Sequence, residues 1–344
     1  MRVAYFTALR EIEIREEPQP SIEKPDDVLL QINRVGVCGS DVHYYAHGCI
    51  GDQLVEYPAT LGHECAGTVV EVGSAVKHLS PGTRVAVDPA ISCGHCDQCK
   101  KGREHTCRNL QFMGCPKEAP GAVADYRVVP GRCCAAVSDS VSLDMATLIE
   151  PLTIGYYAVQ LAKLKEGAKV GILGTGPIGL SVLLCAKAAV SCTTYATDLL
   201  DCRLDVAKAC GADWTGNPNS EDVEAAIADE EPLALDVVLE CSGDPACVDS
   251  AQRMLTPGGM LVMVGIPPVT DVSFNSHVMR RKELVHQAVR RQNACVEPTV
   301  RLMEEGRIDP SPMLTHHFPL EKITEAFELV ADYRDGVVKA LIEM

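Results

Sequence analysis

The chain has 344 residues, which at about 150 residues per domain predicts two domains. Hydrophobic residues make up 47% of it and charged residues 23%, which excludes a disordered, collagen-like or coiled-coil protein. The 47 acidic side chains outnumber the 31 basic ones, and the formal charge of −16 repels phosphate backbones and anionic lipid, so we expect no nucleic-acid or membrane partner.

The amino-terminal segment does not have the pattern of a signal peptide. Its mildly apolar run is cut off by Arg10, Glu11 and Glu13, and glycines interrupt the longest uncharged stretch, residues 170–186. We therefore expect a cytoplasmic protein. In that compartment its seventeen cysteines stay reduced and serve as core residues or metal ligands.

The first part of the chain predicts a β-rich domain. Short β-branched runs at Val28–Ile32, Gly67–Val72 and Arg84–Val87 are bounded by Pro, Gly and Asp, as expected for strands. The turn signal Ser80–Gly82 stands between the second and third of these runs.

Four cysteines follow on a polar segment with the spacing C-x2-C-x2-C-x7-C: Cys93, Cys96, Cys99 and Cys107. Four thiolates can close a tetrahedral zinc site with no open position and so order a loop that lacks a core. The alternative is an iron–sulfur cluster, but the ferredoxin spacing has three residues before the last cysteine and a proline after it. Here seven residues intervene and Arg108 follows, so the spacing favours a structural zinc.

From about Glu166 the pattern changes to strands that alternate with helices, which predicts a doubly wound parallel sheet of the Rossmann type over residues 153–287. The strand predicted at Met260–Val264 is apolar enough to lie at a sheet edge and pair across subunits. The predicted elements are strands at Lys169–Leu173, Thr193–Thr197, Leu235–Leu239 and Met260–Val264, and helices at Pro177–Ala189, Asp201–Cys210 and Pro245–Leu255.

A glycine fingerprint for dinucleotide binding, with Gly174, Gly176 and Gly179, follows the first of these strands and opens a helix. The glycines permit a tight turn, close approach to a pyrophosphate and close helix–strand packing. Asp198 ends the next strand, where a carboxylate can accept hydrogen bonds from ribose hydroxyls and repels a 2′-phosphate. Two acidic residues, Asp198 and Asp201, against one nearby cation, Arg203, favour NAD over NADP. Asp198 could also cap the next helix.

After Ala288 the alternation stops. Pro298–Glu305 and Leu320–Tyr333 are predicted helices, and the apolar run Val337–Ile342 predicts a final strand. This tail is too short for a domain of its own, so we expect it to complete the first one. The zinc-containing catalytic domain would then comprise residues 1–152 with 288–344.

Five motifs follow one another along the chain: Gly36–Tyr44, Leu61–Glu64, the cysteine tetrad, Glu150–Leu152 and the fingerprint. Together they resemble the zinc-dependent medium-chain dehydrogenase/reductase family over essentially the whole chain. Cys38–Tyr44 with Gly51-Asp52 after it most resembles the sorbitol (L-iditol 2-) and xylitol dehydrogenase branch. The resemblance implies an α/β protein with a β-rich GroES-like catalytic domain and a Rossmann domain, assembled as a homotetramer.

The resemblance also implies a catalytic zinc held by Cys38, His63 and Glu64. Such a mixed set leaves a fourth position for water or substrate. Asp41 would fix the tautomer of His63, and Glu150 would hold the zinc-bound water or enter the coordination sphere. Taken singly, each ligand has an ordinary alternative: a core thiol, a buried histidine or a surface charge.

Substrate and cofactor residues follow from the same resemblance. Ser40, His43 and Glu150 would carry the proton away, although His43 could instead bind the cofactor ribose or cap a turn. Arg291 stands where animal sorbitol dehydrogenases have tyrosine. The residues expected to contact substrate are Tyr44, Glu150, Arg290 and Arg291. Those expected to line the NAD site are Gly174, Gly176, Ile178, Gly179, Asp198, Arg203, Val264, Gly265, Ile266, Ala288, Val289 and Arg290.

The expected reaction is the reversible oxidation of a secondary hydroxyl of a polyol to a ketose, with hydride transfer to NAD. The expected cofactors are NAD and two zinc ions per subunit, one catalytic and one structural, and the expected partner is a small polyol or ketose. The same family also offers activity on threonine, an aldose or a simple alcohol. Two further alternatives are a catalytically inactive NAD-binding protein and a zinc-free quinone or enoyl reductase. The reductase would lack both the cysteine tetrad and the pair of Cys38 and His63.

Overall fold

The computed structural model describes all 344 residues, and its first part is rich in strands. The strands are β1 (Arg2–Ala8), β2 (Glu11–Glu16), β3 (Asp27–Gly36), β4 (Cys49–Ile50), β5 (Gln53–Leu54), β6 (Glu64–Val72), β7 (Arg84–Val87), β8 (Ala90–Ile91), β9 (Gln111–Phe112), β10 (Tyr126–Pro130) and β11 (Cys134–Ala136). The helices are α1 (Gly39–His47), α2 (Asp97–Lys100) and α3 (Leu143–Thr147), with 3-10 turns at Glu104–Thr106 and Gly131–Cys133.

The middle part alternates strand and helix. Its helices are α4 (Ile149–Ala162), α5 (Pro177–Ala189), α6 (Asp201–Ala209), α7 (Val223–Glu230), α8 (Pro245–Met254) and α9 (Ser276–Lys282). Its strands are β12 (Ala168–Leu173), β13 (Cys192–Thr197), β14 (Trp214–Gly216), β15 (Leu235–Glu240), β16 (Leu255–Met263) and β17 (Val285–Ala288).

The tail contains two helices and two strands. They are α10 (Val296–Glu304), β18 (Leu314–Pro319), α11 (Ile323–Ala331) and β19 (Lys339–Glu343), with 3-10 turns at Ser311–Met313 and Leu320–Lys322. None of the helices in the chain is both long enough and apolar enough to span a membrane.

The chain divides into two compact units. Unit 1 comprises Met1–Glu150, Val296–Glu305 and Leu314–Met344, and unit 2 comprises Pro151–Cys295 and Gly306–Met313. The domain boundaries predicted after residues 152 and 287 differ slightly from these limits and stay a prediction.

The main sheet of unit 1 has seven strands in the order β11-β7-β6-β3-β19-β18, with β10 also paired to β3. The carboxyl-terminal strand β19 lies beside β3, antiparallel to it. Aromatic packing joins the tail to the amino-terminal part: the centroid of the Phe327 ring of α11 lies 5.2 Å from the ring centroids of both Phe6 and Tyr45. The tail therefore completes the core of unit 1.

Unit 2 is built on six parallel strands in the order β14-β13-β12-β15-β16-β17, which confirms the predicted parallel sheet of the Rossmann type. The edge position predicted for Met260–Val264 is wrong, because β16 pairs with β15 on one side and β17 on the other. The edge strand Val285–Ala288 has only four residues, two of them polar, and its sequence carries little strand signal. The homotetramer stays a prediction.

Candidate functional site

Three potential metal ligands of unit 1 converge where β3 and β6 lie side by side. Cys38 follows the end of β3, while His63 and Glu64 lie at the start of β6. The antiparallel register places Gly36 opposite Glu64, which brings the two ends together. One ligand atom from each of the three side chains lies within 4.8 Å of the others, and both His63 and Glu64 are buried. A thiolate, an imidazole and a carboxylate at this spacing suit a zinc ion with an open position.

Gly36 makes room for the Glu64 carboxylate. A Cβ atom at this position would clash with Glu64 Oε2. The position of the Glu64 carboxylate therefore depends on a glycine in the neighbouring strand.

Asp41 orients His63. Its Oδ1 lies 3.4 Å from His63 Nδ1 and also accepts a hydrogen bond from the backbone of Gly62 at 3.3 Å, and the side chain is 1% exposed. Burial alone would lower the pKa of His63, but Asp41 and Cys38 together raise it well above its ordinary value. A metal would therefore take the place of a proton here, and the predicted role of Asp41 fits this geometry.

Lys339 is a residue of this site that our sequence reasoning missed. Its ammonium group donates hydrogen bonds to both carboxylate oxygens of Glu64, at 2.6 and 2.8 Å, and to the carbonyl of Val37 at 3.2 Å. Both charged side chains are 1% exposed. The available signal was a single lysine inside the apolar run predicted as the last strand, because a buried charge requires a partner.

The other predicted unit 1 residues differ in their surroundings. Ser40 Oγ donates to Cys38 Sγ at 3.4 Å. His43 is exposed, with its ring 5.7 Å from that of His47. The buried Tyr44 hydroxyl donates to Gln53 Oε1 at 3.0 Å, so its predicted contact with substrate would have to compete with that bond.

Glu150 is partly buried and lies outside the three-ligand cluster. Burial, reinforced by the negative charge of Glu64 and opposed by His63, raises the pKa of Glu150 to about 7. This carboxyl group can therefore exchange a proton near neutral pH.

The four cysteines of the predicted structural site also converge. Their sulfur atoms lie within 4.8 Å of one another. Backbone N–H groups of Cys93 and Asn109 donate to the sulfur of Cys107, at 3.3 and 3.4 Å. Four converging cysteine sulfurs, one of which accepts backbone hydrogen bonds, fit a closed tetrahedral zinc site.

The glycine fingerprint of unit 2 has the close packing that dinucleotide sites require. Gly174 has φ +90, and a Cβ atom on Gly179 would clash with the carbonyl oxygen of Gly174. Helix α5 begins directly after, with Gly176 at its N-cap and no side-chain cap, so its first N–H groups can bind a phosphate. These features fit a bound dinucleotide.

Asp198 lies at the end of β13 beside this turn. Its Oδ2 accepts a hydrogen bond from the Thr175 backbone at 2.7 Å, and its Oδ1 accepts one from Leu200 at 3.0 Å. Arg203 Nη1 lies 3.9 Å from Oδ2. Asp198 thus holds the fingerprint turn and keeps lone pairs for ribose hydroxyls. The alternative role as a helix cap is wrong, because Leu200 is the N-cap of α6 and no side chain caps that helix.

The remaining residues predicted for NAD and substrate lie on unit 2 after β16 and β17. Val264 and Gly265 follow β16, and Ile266 is 65% exposed. Ala288 is the last residue of β17, and Val289 and Arg290 follow it. Arg290 is exposed, and Arg291 has φ +51. The substrate and cofactor roles of these residues stay predictions.

Two family descriptions match the sequence. Residues 24–139 match the description "Alcohol dehydrogenase GroES-like domain", and residues 177–305 match "Zinc-binding dehydrogenase". The first range contains the residues of both proposed metal sites except Glu150 and Lys339. The second opens at helix α5, directly after Gly176.

Known proteins resemble the chain over nearly its full length. A sorbitol dehydrogenase of Bacillus subtilis is 34% identical over 99% of this chain and 97% of its own length. A sorbitol dehydrogenase of Gallus gallus is 37% identical over 92% of this chain and 89% of its own. The crystal structure of an Escherichia coli oxidoreductase of unknown specificity superposes with a TM-score of 0.93 at 31% identity, covering 99% and 98% of the two chains.

Proposed function

The chain belongs to the zinc-dependent medium-chain dehydrogenase/reductase family, and from this membership we propose that it oxidises a secondary hydroxyl of a polyol to a ketone, with NAD as the hydride acceptor. The observation that carries the proposal is the convergence of Cys38, His63 and Glu64. The relatives named sorbitol dehydrogenase support a polyol as the substrate.

Zinc held by these three residues would act as a Lewis acid toward the substrate hydroxyl. NAD would accept the hydride from the carbon that bears this hydroxyl. Asp41 keeps the His63 ring oriented, Lys339 holds the Glu64 carboxylate, and Ser40 donates to the Cys38 sulfur. The hydroxyl proton leaves separately from the hydride. Loss of one proton and one hydride converts the alcohol to a ketone.

Glu150 is the residue that we propose takes part in proton removal, because its carboxyl group can change protonation state near neutral pH. We expect Glu150→Ala to lower kcat by about 10²-fold or more while both zinc ions remain bound. The measurements are steady-state kinetics and zinc content of the purified variant.

A matched control is Glu71→Gln, which removes an exposed carboxylate from β6, the strand that carries Glu64. This variant should keep full activity. Loss of one zinc ion in Glu150→Ala would contradict the proton role and make Glu150 a metal ligand instead.

Asp198 is the residue that we propose selects NAD over NADP. Replacing it with alanine removes the charge that repels a 2′-phosphate and the acceptor for the ribose hydroxyls. We expect the ratio of kcat/KM for NAD to kcat/KM for NADP to fall by at least about tenfold in Asp198→Ala. Steady-state kinetics with each dinucleotide measure this ratio.

Asp205→Ala is the control for this prediction, since Asp205 is an exposed carboxylate on α6 that pairs only with Lys208, at 3.4 Å. In this variant the ratio of kcat/KM for NAD to kcat/KM for NADP should equal that of the unaltered protein. An unchanged ratio in Asp198→Ala would show that the discrimination lies elsewhere.

The substrate is tested by following NADH formation with sorbitol, xylitol, galactitol, threonine and ethanol, before and after chelation. Polyol turnover that disappears on zinc removal supports the proposal. Turnover of threonine or ethanol alone would assign the chain to another substrate class of the same family. A fully metallated protein that binds NADH and turns over nothing in the panel would favour the inactive NAD-binding alternative.

A further inference from the structure

Glu240 is a buried carboxylate on unit 2 to which the proposed reaction gives no role. It is the last residue of β15, and it is 2% exposed. In the register of the sheet it lies opposite Leu173, the last residue of β12. Its position is therefore the carboxyl edge of the parallel sheet, beside the turn that starts at Gly174.

The Glu240 side chain binds the turn that follows it. Its Oε1 accepts hydrogen bonds from the backbone of Ser242 at 2.7 Å, from the Ser242 hydroxyl at 2.6 Å and from the backbone of Gly243 at 2.8 Å. Hydrogen bonds to an ionised acceptor are stronger than neutral ones. One carboxylate oxygen therefore fixes the conformation of residues 241–243.

The fingerprint turn packs against this segment. A Cβ atom on Gly174 would lie 2.9 Å from both the Cα and the backbone nitrogen of Ser242, so only a glycine fits there. The backbone of Cys241 also donates to the carbonyl of Leu173 at 2.8 Å. A shift of residues 241–243 would therefore displace the first glycine of the fingerprint.

A second predicted cofactor turn packs against the same segment from another direction. A Cβ atom on Gly265 would clash with the backbone nitrogen of Gly243 and would lie 2.7 Å from Glu240 Oε2. The backbones of Val264 and Gly265 donate to the carbonyl of Glu240 at 2.8 and 2.9 Å. The turns at 174 and 264–266 thus both depend on the segment that Glu240 orders.

We propose that Glu240 is a positioning residue for dinucleotide binding. By holding residues 241–243, its carboxylate sets the spacing of the two turns that would contact the dinucleotide, without touching the dinucleotide itself. This inference rests on the proposed function, since it presupposes a dinucleotide at this edge.

The test is the dissociation constant of NADH, measured by its fluorescence on the zinc-loaded full chain. Glu240→Ala removes the acceptor of three hydrogen bonds, and we expect the constant to rise by at least about tenfold. Glu240→Gln keeps an acceptor oxygen at Oε1, and we expect it to restore binding to within about threefold of the unaltered protein. In Glu240→Ala the KM for NAD should rise while the KM for the polyol and the zinc content stay the same.

Asp236→Asn is the matched control. Asp236 is an exposed carboxylate on the same strand and accepts one hydrogen bond, from the Lys169 backbone at 2.8 Å. This variant should bind NADH normally. If Glu240→Ala does not fold, Ser242→Ala removes one of the three hydrogen bonds to Glu240 Oε1, the one from the Ser242 hydroxyl at 2.6 Å, and should also raise the dissociation constant of NADH, by a smaller factor.

Two results would overturn the inference alone: unchanged NADH affinity in Glu240→Ala (or, if that variant does not fold, in Ser242→Ala), or a Glu240→Gln variant as weak as Glu240→Ala. An unaltered protein that binds no NADH would overturn the proposed function, and the inference with it. Because binding is measured without substrate, an error about the polyol does not affect the outcome.

Discussion

Replacing Lys339 with methionine is expected to lower the free energy of unfolding by about 3–5 kcal/mol, because the variant leaves the buried Glu64 carboxylate without its ammonium partner. Methionine fills similar space, so the loss reflects charge rather than a cavity. Burial by itself would lower the pKa of Lys339, but Glu64 and Cys38 raise it above its ordinary value. The lysine is therefore charged at neutral pH, and the full effect is present there.

The measurement is urea unfolding with excess chelator in every sample, so that no metal compensates the Glu64 charge. The double variant Lys339→Met with Glu64→Gln should recover most of the loss, because it removes both charges together. Lys322→Met is the control: this lysine is largely exposed, and its ion pair with Glu325 spans 3.4 Å. A loss below about 1 kcal/mol in Lys339→Met would show that water or another group compensates Glu64.

Replacing Cys99 with serine is expected to remove the structural zinc and unfold the loop that it holds. Cys99 is a buried member of the tetrad, and the loop has only the short helix α2 and a 3-10 turn of its own. Zinc binding contributes about 10–16 kcal/mol in small zinc domains, so the segment should not stay ordered without it. We expect the zinc content to fall from two ions per chain to one.

Limited trypsin digestion reads out the order of this loop, since Lys100, Lys101 and Arg103 lie exposed within it. Cleavage there should accelerate by at least about tenfold in Cys99→Ser, since the segment loses the metal that holds it closed. Cys202→Ser removes a partly exposed cysteine of α6 that belongs to neither metal site, and its cleavage should match that of the unaltered chain. Unchanged zinc content and cleavage in Cys99→Ser would refute the tetrad as a zinc site.

The elements that could be predicted are those determined by nearby residues. Helix α5 has the predicted bounds, Pro177–Ala189, because a Gly-Pro start precedes a mostly apolar run in which Ser181 and Lys187 are the only polar side chains. The predicted strand Lys169–Leu173 lies within β12 for a similar reason, as a β-branched run that ends at a glycine. The tetrad also lies within a short stretch of chain, so its spacing alone indicated a shared metal.

The parts that could not be predicted depend on contacts between distant residues. Cys38 and Glu64 were paired by family resemblance, whereas the structure explains their meeting through the register of β3 and β6. The role of Glu240 depends on how three turns pack, which no local pattern contains. The edge strand β17 was not predicted, because four residues of which two are polar do not form a pattern that distinguishes a strand from a loop.

The ion pair between Glu64 and Lys339 joins residues 275 positions apart. A ribosome makes the chain from its amino terminus, so Cys38, His63 and Glu64 leave the exit tunnel long before β19 is translated. Throughout that interval the Glu64 carboxylate, which is buried in the folded protein, has no ammonium partner and must stay hydrated or be bound by another group. A nascent chain halted before residue 339 therefore cannot bury this carboxylate as the finished protein does, even though all three ligands are already present.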